Sequence, residues 1–238
     1  AGIRSEAEAA GSRLPAPTAA RLLGRAWDGL EGGKRIFDVR VSERVRVLNG
    51  EGAIVYAREP LRLRLDVFGP HSTPLLSLVQ RGDSLAVRLH EQRRFVEGTS
   101  ADPRFAELTE GRAFTGPELV GALLGAYDAD RLLQGAADTL AWSAGGEWVV
   151  ALLERNRAHR FTYAQADSSL RTYRQERGGR LAYRVRFSDY RAVAGRARPF
   201  RVELEDVGGR RTVRVDVRRE TLDPDVDVED DAFRLAPF

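Results

Sequence analysis

From Leu61 onward hydrophobic and polar residues alternate with a period of two: Leu61, Leu63, Leu65 and Val67 are separated by Arg62, Arg64 and Asp66. That period sends the aliphatic side chains to one face of a sheet and the charges to the other. Residues 69–74, Gly-Pro-His-Ser-Thr-Pro, turn the chain into a strand over 75–80. Arg81-Gly82-Asp83-Ser84 then turns it back into Leu85, Val87 and Leu89. The stretch predicts an antiparallel meander with one apolar and one wet face.

The alternation also precedes Leu61. Val39, Val41, Val45 and Val47 alternate with polar residues, arginines prominent among them, over 34–48; Asn49-Gly50 reads as a hairpin turn, and 53–57, with Ile54, returns. Ahead of it, residues 1–17 are small, polar and proline-punctuated and read as a flexible tether. Thr18 is expected to N-cap a helix that runs to Leu30 and ends at Gly32-Gly33. After Gly98 the period changes to helical. Thr115-Gly116-Pro117-Glu118 predicts a helix start ahead of Leu119, Val120, Leu123 and Leu124, and Asp130, Leu132 and Leu133 predict a second short helix. Strands resume at 148–154, 159–164, 170–175, 180–187, 200–205 and 211–218, with glycine pairs between several of them. The count is about eleven strands. Single-face alternation and regular turns predict a mainly β protein, one domain over 18–238 built on a large curved or closed antiparallel sheet.

Charge changes this picture little. Against 35 acidic residues stand 38 basic ones, of which only Lys34 is a lysine, and the net charge is +3. The two signs are interleaved, as on a solvated sheet face, so no nucleic-acid surface is expected. Cysteine is absent, which removes disulfides and thiolate chemistry. Methionine is absent too, from which a processed or trimmed N-terminus is expected. No apolar run approaches the roughly 18 residues of a membrane helix.

Candidate chemistry is mostly missing. The sequence has no G-x-S-x-G elbow, phosphate-binding glycine loop or dinucleotide fingerprint, and His90-Glu91 lacks the second histidine of a zinc-protease motif. His71, His90 and His159 lie far apart, so no metal site is expected. The acidic run 223–231 lacks calcium-loop spacing and reads as a solvated segment. No enzyme activity and no cofactor are expected.

Several phrases, in order, resemble the LolA/LolB superfamily of periplasmic lipoprotein carriers and outer-membrane lipoprotein receptors. They are Arg58-Glu59-Pro60-Leu61-Arg62-Leu63, Gly82-Asp83-Ser84-Leu85, Leu119 to Gly125, Tyr183 to Tyr190 before Arg198 to Val202, and Asp230 to Pro237. The resemblance spans roughly 18–238 and implies an incompletely closed antiparallel barrel with helices as a lid. It also implies a non-enzymatic binder of lipoprotein acyl chains, for which an apolar container is physically apt: each buried CH₂ contributes about 0.8 kcal/mol. The cavity wall then comprises Val39, Val41, Val45, Val47, Ile54, Leu61, Leu63, Leu65, Val67, Leu85, Val87 and Leu89 from the first half. From the second half it takes Phe161, Tyr163, Leu181, Tyr183, Val185, Phe187, Val202, Leu204, Val213 and Val215.

On the same resemblance the lid is Leu119, Val120, Leu123 and Leu124, with Arg58 near the arginine that holds it shut in carriers, although here Glu59 separates that arginine from Pro60. Phe68 and Leu75 flank the loop that receptors use for membrane delivery. The implied location is the periplasm, with an anchor in the outer membrane if a lipidated cysteine precedes residue 1. The implied partners are lipoproteins or their acyl chains, a carrier protein and the inner leaflet of the outer membrane, and the expected state is a monomer. The alternative reading is a structural or regulatory cell-envelope protein that binds a protein partner through the same sheet.

Overall fold

A computed structural model describes residues 2–10, 13–28, 30–43, 46–58, 61–99, 102, 104–105, 116–206, 211–223 and 230–237. Among them are thirteen strands: β1 (Gly32–Glu43), β2 (Arg46–Ala57), β3 (Arg62–Phe68), β4 (Pro74–Arg81), β5 (Ser84–Leu89), β6 (Arg94–Thr99), β7 (Asp138–Ala144), β8 (Glu147–Leu153), β9 (Arg157–Ala164), β10 (Leu170–Arg177), β11 (Arg180–Val193), β12 (Arg196–Asp206) and β13 (Arg211–Leu222). The helices are α1 (Ile3–Ala9), α2 (Ala16–Gly24), α3 (Gly116–Leu124) and α4 (Ala129–Gly135).

All strands lie in one antiparallel sheet in the order β6-β5-β4-β3-β2-β1-β13-β12-β11-β10-β9-β8-β7. Every neighbour is the next strand in sequence except at β1–β13, where the two ends of the meander zip together. The edges are therefore β6 and β7, the two strands beyond the eleven expected, and they do not pair with each other. The chain between them carries α3 and α4, so the helical insertion sits at the gap in an incomplete barrel.

The concave face packs against α2 and α3 in one core. Ala19, Leu22, Leu23, Trp27 and Leu30 join Ile54, Leu63, Leu65, Phe161, Val185 and Val202 there. The convex face is wet, with cross-strand ion pairs such as Arg184–Glu205 and Arg201–Asp216. Two segments cover parts of it. Ile3 and Ala7 of α1 pack on Trp142, Val149 and Ala151, while Val150 and Leu152 face inward, which explains the unbroken apolar run of β8. At the other end of the chain Phe233 is buried beneath the Arg62 guanidinium, and Arg64 donates to the Ala232 carbonyl.

Four local expectations differ from what is found. The stretch 1–17 holds α1 and the start of α2, and Leu14 donates to the Ala141 carbonyl at the β7 edge. Helix α2 begins at Ala16, ahead of Thr18, because Pro17 in its first turn has a pre-set φ; Gly32 and Gly33 open β1. Asn49 and Gly50 lie inside β2, opposite Arg40 and Val39, and the β1–β2 ladder runs on to the pair Glu43 and Arg46. Gly50 serves close approach: a Cβ there would stand 2.3 Å from the Phe68 carbonyl oxygen. Val45 and the Gly208-Gly209 turn lie outside the described residues.

Candidate functional site

The sheet's inner wall gathers most of the predicted cavity residues. Val39, Ile54, Leu63, Leu65, Leu85, Val87, Phe161, Tyr163, Tyr183, Val185, Phe187, Val202, Leu204 and Val215 are buried in one cluster. Val41, Val67, Leu89 and Val213 pack against it half-buried. Leu61 is half-buried at the rim. Two residues are not in the wall. Val47 is 51% exposed, since β2 runs past β3 toward the end of the β1–β2 ladder. Leu181 is 39% exposed because a register shift after Gln175 moves it out of phase near the Gly178-Gly179 turn.

Val120, Leu123 and Leu124 of α3 close over this wall, with Leu119 packed beside them. Among the described residues the wall and lid are in direct contact. The cavities there are about 190 Å³ between Trp27, Leu61, Gln80 and Val120, and about 200 Å³ beside Tyr127 and His159. A third, about 240 Å³ and lined by Leu22, Tyr163, Tyr190 and Arg198, opens beside α2. Each is below the roughly 300 Å³ at which drug-sized ligands are enclosed.

The lid's fastening is polar. A helix ends with carbonyls that have no partner of their own, and cations there are favoured. Arg35 Nη1 donates to the Leu123 carbonyl at 2.6 Å, and Arg198 Nη2 donates to the Leu124 carbonyl at 2.7 Å. Glu220 sits between the two arginines, accepting from Arg35 at 2.7 Å and from Arg198 at 3.0 and 3.1 Å. Burial and the Arg198 charge pull the Arg35 pKa down, and Glu220 opposes them. Gly125 follows α3 at φ +65°, a left-handed helix stop whose missing Cβ would stand 2.6 Å from Pro199. At its other end α3 is tied by Glu118, which accepts from Gln175 at 2.5 Å.

Among the described residues, the contacts of Arg58 are with Trp27 and not with α3. It lies just past β2, 5.8 Å over the Trp27 ring, and donates to the Trp27 carbonyl at 3.3 Å. Phe68 and Leu75 are half-buried at the flanks of the 69–74 loop, whose own residues, Gly-Pro-His-Ser-Thr-Pro, include no large aliphatic or aromatic side chain. The arginines that do reach the lid had a sequence signal. Arg35 shares parity with Phe37, Val39 and Val41, and Arg198 with Phe200, Val202 and Leu204, so each is a charge at a core-facing position. His159, Tyr173 and Gln175 carry the same signal, in phase with Phe161 and Tyr163 or with each other.

The arrangement defines a class: an open antiparallel half-barrel whose apolar concave face is closed by a helix held through its terminal carbonyls. No family model and no curated protein matches the sequence. Solved structures do match. A LolA superfamily protein from Nitrosomonas europaea shares 13% identity over 93% of this chain and 98% of its own, with a TM-score of 0.64. A domain named as an outer membrane lipoprotein-sorting protein, from Vibrio parahaemolyticus, shares 9% identity over 92% and 97%, with a TM-score of 0.68. A DUF1329 family protein from Desulfovibrio piger shares 11% over 92% and 97%, at 0.66. This chain has the LolA/LolB-like fold.

Proposed function

We propose that the protein binds acyl chains of lipoproteins, or a similar amphiphile, between α3 and the concave face, for transport to or insertion into the outer membrane. The observation that carries this reading is the lid itself: Val120, Leu123 and Leu124 cover an apolar wall, yet the helix ends are held by hydrogen bonds from Arg35, Arg198 and Gln175. In this closed form the core is filled by the lid's own side chains. Swinging α3 away exposes the wall, and acyl chains replace Val120, Leu123 and Leu124 at little net cost in apolar contact. The fold shared with lipoprotein-sorting proteins supports the cargo class, and a non-enzymatic role in the periplasm goes with it.

The packed interior favours a second reading, in which the closed sheet is a scaffold for a protein partner. One experiment separates them: an environment-sensitive apolar probe bound to the folded protein, challenged with a triacylated lipopeptide and its deacylated form. Displacement by the acylated form alone supports acyl-chain binding. Absence of probe uptake by the folded protein overturns it in favour of the scaffold.

A further inference from the structure

The cavity of about 200 Å³ between α4, the start of α3 and the β8–β9 connection is lined by Glu118, Tyr127, Arg131, Glu154, Arg157 and His159 among others. His159 brings to it the end of a polar row on the otherwise apolar inner wall, in which His159, Gln175 and Tyr183 are cross-strand neighbours on β9, β10 and β11. Glu154 Oε1 lies 3.2 Å from His159 Nε2, His159 Nδ1 lies 2.7 Å from the Tyr173 hydroxyl, and Tyr183 donates to that hydroxyl at 3.4 Å. Gln175 spends its amide N–H on Glu118.

Two polar atoms are left over. The Tyr127 hydroxyl and Gln175 Oε1 are buried and have no partner among the described residues, although Tyr127 is 4% exposed and Gln175 fully enclosed. Buried groups of this kind are normally satisfied, and one that borders a cavity can take its partner from a water or from a ligand atom there. Tyr127 also stands at the border of the apolar core, with ring centroids 4.3 Å from Tyr173 and 5.3 Å from Phe161. Its main chain is held in place by Trp27, whose Nε1 donates to the Tyr127 carbonyl at 2.7 Å.

We infer that this cavity is a subsite for the uncharged hydrogen-bonding head of an amphiphile, a hydroxyl or amide close to its acyl chains, with the Tyr127 hydroxyl donating to it. The inference rests on the acyl-chain reading and names the part of the ligand that the apolar wall cannot hold. Charge selects the class. Glu118, Asp128 and Glu154 face the cavity with Arg131 and Arg157, so a phosphate meets three carboxylates and an ammonium meets two guanidinium groups. Burial keeps Tyr127 protonated, hence a donor, across the neutral range. The volume suits a head group alone, which leaves the chains to the apolar interior beside Tyr127.

The test is probe displacement from the full chain by three lipids with the same two oleoyl chains: a diacylglycerol, its analogue lacking the hydroxyl, and a phosphatidate. The expected result for the native protein is a preference of about tenfold for the diacylglycerol over the deoxy analogue, the gain of one well-made hydrogen bond. Tyr127→Phe removes most of that preference and leaves the deoxy analogue unchanged. Tyr56→Phe, which deletes a buried unpartnered hydroxyl elsewhere in the core, retains it. Equal affinity for alcohol and deoxy lipid, tightest binding of the phosphatidate, or an undiminished preference in Tyr127→Phe would overturn the subsite while the acyl-chain reading stood. Failure of all three lipids to displace the probe would remove both.

Discussion

Arg35 and Glu220 face each other across β1 and β13, and their side chains meet at 2.7 Å with no solvent exposure on either. Arg198 joins the same carboxylate from β12, so two guanidinium groups share one buried negative charge while holding the last carbonyls of α3. The lid is thus fastened by a network whose desolvation is costly and whose parts depend on each other.

Glu220→Ala leaves both arginines buried without a counter-charge and is expected to cost about 3–5 kcal/mol in urea unfolding. Arg198→Met, which leaves the neutral Arg35–Glu220 pair, is expected to cost less. It also frees the Leu124 carbonyl, so apolar-probe uptake by the folded variant should rise. A larger loss for Arg198→Met than for Glu220→Ala would show that Glu220 does not organise the cluster.

Gly121 faces Tyr127 so closely that a Cβ would lie 2.5 Å from the ring. Gly121→Ala is expected to lift α3 from Tyr127 and to cost about 1–3 kcal/mol by overpacking. Circular dichroism and thermal unfolding check it; a stability equal to the native protein's would mean that the lid already rides higher than this packing allows.

Gly50→Ala distinguishes a strand from a turn at Asn49-Gly50. Within β2 the new Cβ meets the Phe68 carbonyl, a main-chain atom that cannot rotate away. The expected loss is about 1–3 kcal/mol, whereas Gly82→Ala, in an open turn with φ +55°, meets nothing and costs only its backbone strain.

All six tyrosines have their ionisation pushed above the ordinary value, chiefly by burial. The folded state therefore holds phenolic protons that the unfolded chain releases near pH 10. Stability from this source is complete below about pH 10 and falls as pH rises beyond it. Absorbance at the tyrosinate band should stay low through the ordinary range and then appear together with unfolding; gradual ionisation of several tyrosines near pH 10 in the folded protein would contradict their burial.

Helix α1 covers Trp142, which is 1% exposed. Removing residues 1–10 should leave the sheet folded and make one more tryptophan accessible to acrylamide. Unchanged quenching would place Trp142's cover elsewhere.

Most of the wall was legible in the sequence, since alternation depends only on strand geometry: Leu63 and Leu65, or Val185 and Phe187, point inward wherever the strands pair. The change of period after Gly98 likewise marked α3 before its partners were known. Legibility failed where a residue's role depended on a neighbour distant in sequence. Gly50 reads as a turn residue until the Phe68 main chain is laid against it. Arg35 and Arg198 broke the apolar phase visibly, but nothing local said that they share a carboxylate.

By itself the sequence determined a meander of alternating strands with one apolar face and a short helical insertion. The tertiary structure alone decided how that face is closed. Opposite Ile36 and Phe37, β13 places Arg219 and Val217, so Arg218 is an extra residue, a bulge. With it Arg218 pairs outward with Asp38 and Glu220 turns inward to Arg35. Strand parity counted along the chain places Glu220 on the wet face; only the register between the first and last strands reverses it, because a bulge costs one residue of phase and is set by the partner strand.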